Sequence, residues 1–182
     1  MKPWTIPQLK KHLKTMDEKQ LQQLVVDLYK QSKEVKEIIN VAYREEDYEK
    51  GIAEEYKEKI YRIFFPKSMS AGFSLPEAKV LLKKGLGICR QPENRIDLQL
   101  FFVECGVEFT NMYGDISETF YSAIISVYDK AVTGINKNQK SQAHPGFIKR
   151  CMAIYSDSEW MAWGFGEAMV AISFELDGFS DE

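Results

Sequence analysis

Two glutamates one helical turn apart, Glu104 and Glu108, have the residue type and spacing that could do chemistry. Carboxylates held together in an apolar setting can bind a divalent cation or act as an acid and a base. Burial raises the pKa of one carboxyl group, and a cation lowers it. Further polar side chains lie on the same side of this helix and at the start of the next helix. The candidate polar strip therefore comprises Asp97, Glu104, Glu108, Asn111, Asp115 and Glu118.

A solvated seam between helices would carry the same acids, and the rest of the sequence favours that interpretation. Di-iron carboxylate bundles pair their glutamates with a Glu-x-x-His motif from neighbouring helices. The two histidines here, His12 and His144, are not in such a motif. The sequence therefore predicts no catalytic residue, no metal ligand set and no cofactor. A carboxylate metal site or enzyme at Glu104 and Glu108 is kept as an alternative.

The cysteines are the other reactive side chains, and their pattern predicts buried thiols. Cys89, Cys105 and Cys151 are odd in number, widely spaced and set within apolar helical patterns. Disulfide frameworks and zinc sites use paired or closely spaced cysteines instead. Similarly, the run KKGLG at 83–87 lacks the preceding strand and the spacing of a phosphate-binding loop.

The polar strip lies on a segment that predicts a central, buried helix near 96–113. Its apolar side chains cover about three quarters of a helical wheel, which is typical of a helix buried on most sides. Gly106 lies opposite the strip, where a second helix can approach closely. Gly114 is expected to end the helix, and Asp115 with Glu118 has the spacing of a capping box that begins the next one.

The flanking segments also predict helices. Asp17 and Gln20 form a capping box, followed by an amphipathic stripe that we expect to be buried: Leu21, Leu24, Val25, Leu28 and Tyr29. A final helix is expected to run from caps at Ser156 and Glu159, through Trp160 and Trp163 packed in the core, to Gly178.

No segment shows the alternation of a strand bounded by hairpin signals, so the fold class is predicted to be all-α. About nine helices are expected, as a compact multihelical bundle or a short helical-repeat-like stack. A length of 182 residues predicts a single all-helical domain over 1–182.

The charge and composition of the chain indicate which partners and which cellular compartment to expect. The formal net charge is −3, which disfavours nucleic acid as a partner of the whole chain. Residues 1–40 nevertheless carry eight lysines against five acids, and Lys10, Lys11 and Lys14 form a candidate basic face. The N-terminus lacks the apolar region of a signal peptide, and no apolar run approaches a membrane span. The sequence therefore predicts a cytoplasmic protein that makes no membrane contact.

Two segments carry a resemblance to a known family. They are LKKHLKTMDEKQLQQLVVDLYKQSKEVKEI at 9–38 and the pattern VExGxxFTxxYGDI at 103–116. The chain resembles a bacterial family of domains of unknown function, over most of its length from Leu9 to about Ala131. The resemblance implies a small all-helical bacterial protein. It brings no activity, substrate or catalytic residue with it.

The leading functional hypothesis is a non-enzymatic helical interaction module that binds a protein partner or a second copy of itself. A clean all-α pattern without a catalytic constellation motivates it, and a helical face or an apolar groove would make the contact. The main alternative is nucleic-acid binding through the Lys-rich N-terminal helices.

Overall fold

The structure, a computed structural model, describes residues 2–44, 46–68, 72–162 and 164–177. Within these ranges it consists of α-helices joined by turns and loops, with no strand, so the all-α prediction is confirmed. None of these helices combines the length and apolar character needed to cross a membrane. In the described ranges the helices are α1 (Ile6–Leu13), α2 (Glu18–Gln31), α3 (Lys33–Tyr43), α4 (Glu46–Phe64), α5 (Leu75–Ile88), α6 (Pro92–Tyr113), α7 (Glu118–Lys137), α8 (His144–Ser158) and α9 (Phe165–Phe174).

The chain divides into two compact units. The N-terminal unit, Met1–Arg44, contains α1 to α3, and the C-terminal unit, Glu45–Glu182, contains α4 to α9. The expectation of a single domain stays a prediction, and each unit is described by itself below.

The N-terminal unit is built from three short helices with well-formed starts. Asp17 accepts a hydrogen bond from the backbone N–H of Gln20 at 2.8 Å, and the Gln20 side chain accepts one in return at 3.0 Å, which confirms the predicted capping box. The predicted burial of the stripe on α2 is wrong, because Leu21, Leu24 and Tyr29 are only half-buried and neither α1 nor α2 contains a buried residue. Val25 is 50% exposed and Leu28 is 45% exposed. Periodicity marks an apolar face but does not determine what covers it.

Helix α6 lies at the centre of the C-terminal unit, as predicted. It packs against α4, α5, α7 and α8, and half of its residues are buried. Gly106 lies where α7 packs closely, since a Cβ atom there would lie 2.4 Å from Cδ1 of Ile124. Gly114, with φ of 79°, ends the helix as predicted. Met112, an apolar side chain of this mostly apolar segment, is 62% exposed in the last turn of the helix.

A buried carboxylate fixes the start of α6. Glu49 of α4 is 4% exposed, and its Oε1 accepts the backbone N–H groups of Arg90 and Gln91 at 2.9 and 2.8 Å and the side-chain amide of Asn94 at 2.9 Å. Gln91, the N-cap residue of α6, makes no side-chain capping bond of its own. Glu49 therefore caps α6 from a neighbouring helix, where the helix dipole favours a negative charge.

The next helix boundary differs from its prediction. Helix α7 begins after Ser117, whose hydroxyl accepts the backbone N–H of Phe120 at 3.3 Å, so Ser117 and not Asp115 is the N-cap. The helix then passes through Gly134 and continues to Lys137. A Cβ at position 134 would lie 3.1 Å from Ile96, so this glycine permits close packing of α6 and α7.

The C-terminal helices also differ from the expected pattern. Helix α8 continues to Ser158, and α9 begins only at Phe165, after Gly164 with a φ of 72°. Trp160 lies between them and is 68% exposed, so its predicted core packing is wrong. Trp163 and Gly178, expected within and at the end of the last helix, lie outside the described residues.

Candidate functional site

The predicted polar strip of α6 meets an arginine from α8. Arg150 donates from Nε and Nη2 to the two carboxylate oxygens of Glu104 at 2.6 and 2.8 Å, a bidentate ion pair. Its Nη1 donates to Oδ1 of Asp97, and its Nη2 lies 3.4 Å from the Asp97 carbonyl oxygen. Asp97 and Glu104 are two helical turns apart, so one planar guanidinium joins both ends of this part of the strip.

A lysine of α4 extends this charged cluster. Lys57 forms an ion pair with Oδ2 of Asp97 and another with Glu54 at 2.7 Å. The cluster therefore ties α4, α6 and α8 together at the surface of the C-terminal unit. Burial lowers the pKa of Arg150, but its hydrogen bonds and proximity to Glu104 and Asp97 outweigh that effect, and the net pKa is raised.

Glu104 and Glu108 also line a cavity between α6 and α8 with a volume of about 410 Å³. Asp157 of α8 and Asn111 of α6 add polar groups to its wall. Its lining includes three carboxylates and no basic residue among those described. The other lining residues are Val107, Met112, Ala153 and Ile154.

The donor set in this cavity is a poor one for a metal ion. Both oxygens of Glu104 already accept hydrogen bonds from Arg150, so a cation bound by Glu104 would have to displace a guanidinium. Within the described ranges, no group of three or more His, Cys, Asp or Glu side chains is arranged to hold a metal. What the arrangement does is hold helices together by charge-assisted hydrogen bonds.

The last two residues of the predicted strip are placed elsewhere. Asp115 accepts a hydrogen bond from the Tyr121 hydroxyl at 3.1 Å, and the Tyr121 oxygen accepts the backbone N–H of Ile116 at 3.2 Å. Glu118 is exposed in the first turn of α7. Neither residue is among those lining the cavity. The predicted strip is therefore divided: Asp97 and Glu104 pair with Arg150, Glu108 and Asn111 line the cavity, and Asp115 and Glu118 lie at the start of α7.

Sequence reasoning missed three charged residues that surround the strip. Arg150, Lys57 and Asp157 lie far from it in the chain and come to it only through helix packing. A search for basic residues on the inward-facing side of other predicted helices could have proposed Arg150, because a mostly apolar helix with a polar strip needs a partner for those charges.

The candidate basic face lies at the end of α1. Lys10 and Lys11 are in its last turn, Lys14 is its C-cap residue, and all three are exposed. Cations in the last turn of a helix interact favourably with its dipole, so this placement alone is explained without a ligand. His12, between them, makes an edge contact with the ring of Trp4 at 4.8 Å between centroids.

Comparisons with known proteins identify a family without identifying an activity. A sequence model of a family of unknown function, DUF6155, matches residues 6–174. No curated protein matches the chain, and no solved structure matches it. The chain belongs to DUF6155, which agrees with the resemblance to an uncharacterised domain family.

Proposed function

We propose that this chain is a non-enzymatic interaction module that binds a protein partner through the N-terminal unit. The observation that supports the proposal is that α1 and α2 are amphipathic but contain no buried residue. Exposed apolar patches of this kind mark protein interaction sites on soluble proteins. The apolar partner face comprises Ile6 and Leu9 of α1 and Val25 and Leu28 of α2, each between 39% and 65% exposed.

The small size of the N-terminal unit limits the core that it can form. A unit of about 44 residues is close to the size below which a core of its own rarely suffices. No residue of α1 or α2 is fully buried, so covering the apolar partner face would add stabilisation of about 25 cal/mol for each Å². A partner helix in contact with both α1 and α2 would provide that cover.

In the experiment, the wild-type chain and two variants are each immobilised, and the proteins that they retain from a lysate of cells that naturally contain the chain are compared. Val25→Glu plus Leu28→Glu places two charges on the apolar partner face and should abolish retention of specific partners. Lys19→Gln plus Lys30→Gln is the matched control, because both residues are exposed on α2 and the net charge changes by the same amount. Circular dichroism of both variants checks that the helices are kept.

Self-association is tested by light scattering over a concentration series. A second copy as the partner would give a mass that rises with concentration in wild type and control, and falls to a monomer in Val25→Glu plus Leu28→Glu. A protein that stays monomeric and retains the same proteins in all three forms would contradict the proposal.

Nucleic acid is the second candidate partner of the same unit. Nine basic residues against five acidic ones in Met1–Arg44, with Lys10, Lys11 and Lys14 exposed, support it. Retention on duplex DNA that weakens with salt and with Lys10→Glu plus Lys14→Glu would favour this candidate over a protein partner. No retention at low salt would eliminate it.

The proposed compartment is the cytoplasm of a bacterial cell. Three free cysteines, all buried, support a reducing compartment, because secreted proteins generally pair their cysteines. Measurement of the thiol content of the protein isolated from its own cells tests this. Three reduced thiols are expected, and a disulfide in the isolated protein would contradict it.

A further inference from the structure

A long groove on the C-terminal unit combines an aliphatic floor with a basic rim. It lies between α5, α6 and α7 and has a volume of about 910 Å³. Lys79, Lys83, Arg95 and Lys130 line it together with an aliphatic floor. Val80, on α5, is 53% exposed there. The floor residues are Leu75, Val80, Leu82, Leu86 and Val127.

A second depression continues the groove along α7. It has a volume of about 560 Å³ and shares Arg95, Gln99 and Lys130 with the first. Arg90 and Lys137 extend the row of basic residues along it. The two depressions therefore form one surface, which we call the basic groove.

The charge of the basic groove is opposite to that of the unit that carries it. Residues 45–182 contain 22 acidic and 15 basic residues, so a random part of this surface would be acidic. Six of the basic residues line the basic groove, and none of its described lining residues is acidic. Such a concentration of one charge around a partly exposed aliphatic floor requires an explanation other than composition.

One of these basic residues is held in position without an ion pair. Arg95 donates from Nη1 to the carbonyl oxygen of Leu86 and to that of Cys89 at 3.1 Å. Its Nε and Nη2 donate to no group in the described part of the protein. A guanidinium fixed by backbone carbonyls, with donors left over, is arranged to receive a carboxylate at low entropic cost.

We propose that the basic groove binds an acidic amphipathic helix of a partner protein. The apolar stripe of that helix would cover the aliphatic floor, and carboxylates on its margins would pair with the surrounding lysines and arginines. This surface lies on the C-terminal unit, so the proposal does not depend on the apolar partner face of α1 and α2.

The distribution of charge favours a helix over other anions. Lys79 and Lys83 are one turn apart on α5, and Lys130 and Lys137 are about 10 Å apart along α7. A single lipid headgroup or phosphate would contact one end of this array and leave the rest unused. A single-stranded nucleic acid would satisfy the charges, but the described lining contains no aromatic ring on which bases could stack, and a duplex would leave the aliphatic floor uncovered.

The test uses a fluorescein-labelled helical peptide with leucine at positions i, i+3, i+4 and i+7 and glutamate at the flanking positions. Fluorescence anisotropy should show binding that weakens as salt is raised. The same peptide with lysine in place of glutamate should not bind, and neither should one with serine in place of leucine. Equal binding of the lysine peptide would overturn the proposal, as would no binding of the glutamate peptide.

Charge reversal then locates the site. Lys79→Glu plus Lys83→Glu should weaken glutamate-peptide binding by at least about tenfold, and Val80→Asp should weaken it similarly. Lys67→Glu plus Lys149→Glu is the matched control, with two exposed lysines of the same unit away from the basic groove and the same change in net charge. Equal losses in the groove and control variants would overturn the proposal.

Two further measurements identify what binds in the basic groove. Val25→Glu plus Leu28→Glu should leave peptide binding unchanged, so that failure here and failure of the proposed function are separate results. Oleate and duplex DNA serve as competitor probes for a lipid acid and a nucleic acid. The choice of an acidic helix would be overturned if oleate or duplex DNA bound the chain, if that binding depended on Lys79 and Lys83, and if the glutamate peptide did not bind.

Discussion

The two glutamates of the strip differ in what they contact. Glu104 makes a bidentate ion pair with Arg150, and its side chain is 34% exposed. Glu108 is exposed and forms no ion pair within the described part of the protein. Residues of the same type and spacing therefore have separate roles, and amide substitutions can distinguish them.

Glu104→Gln should lower the free energy of unfolding by about 1.5 kcal/mol, because Arg150 would lose a charged partner that is partly shielded from water. Glu108→Gln should change it by under about 1 kcal/mol, as exposed charges usually do. Urea or thermal unfolding of the two variants, side by side, measures both values. Equal effects would mean that Arg150 does not distinguish the two carboxylates.

Metal analysis of the same proteins tests the alternative of a carboxylate metal site. Elemental analysis of the wild-type protein is expected to find no stoichiometric metal, because Glu104 is already occupied by Arg150. Stoichiometric metal that disappears in both Glu104→Gln and Glu108→Gln would contradict the non-enzymatic account.

The buried thiols predict how stability depends on alkaline pH. Burial, followed by the charge of Glu49, raises the pKa of Cys89 to about 11, and burial raises that of Cys151 to about 12, from an ordinary value of 9.0. A raised native pKa stabilises the fold fully below the unfolded pKa, and that stabilisation is lost as pH rises through the native pKa. Stability should therefore fall between about pH 9 and pH 12.

The control is Cys89→Ala, which removes one of these titrating groups. Urea unfolding at several pH values should show a shallower decline in this variant than in wild type over the same range. A decline of identical slope in the two proteins would contradict the assignment to the thiols.

The packing of α6 against α7 can be tested by substitution of helical glycines. Gly106 allows α7 to approach, and Ile124, which it faces, is fully buried and has little room to move. Gly51 in α4 is also a helical glycine, but a Cβ there would meet nothing within 4 Å. Alanine substitutions at Gly106 and Gly51 therefore separate the effect of helix propensity on stability from the effect of close packing.

Gly106→Ala should lower the free energy of unfolding by about 1 to 3 kcal/mol, since the added methyl group overpacks a buried contact. Gly51→Ala should raise it by about 0.5 to 1 kcal/mol, because alanine favours the helix more than glycine does. Denaturant unfolding measures both changes. A stabilised Gly106→Ala variant would show that α6 and α7 do not pack as closely as described.

Local patterns predicted most of the elements but few of their partners. The central helix, its end at Gly114 and the capping box at Asp17 follow from local physical chemistry, and the structure confirms them. Local patterns do not show which carboxylates Arg150 contacts, because the ion pair joins residues 46 positions apart through the packing of α6 and α8. Ser117 replaces Asp115 as a cap because nearby polar residues compete for the same role.

At the scale of the whole molecule, the two units differ in how they are stabilised. The C-terminal unit is organised around α6, with rings of Phe64, Phe73, Phe109 and Phe120 packed 4.5 to 6.4 Å apart between centroids. The N-terminal unit has two helices without a buried residue. We place the apolar partner face on the N-terminal unit because of this contrast.

Site-specific photo-crosslinking in living cells tests that assignment most directly. A photoreactive amino acid at Leu28 samples the apolar partner face, and the same group at Lys30 samples the opposite side of α2 as a matched control. A crosslinked product of discrete mass is expected from position 28 and is expected to be absent from position 30. No product at position 28, or the same product from both positions, would contradict the claim that this face binds a protein.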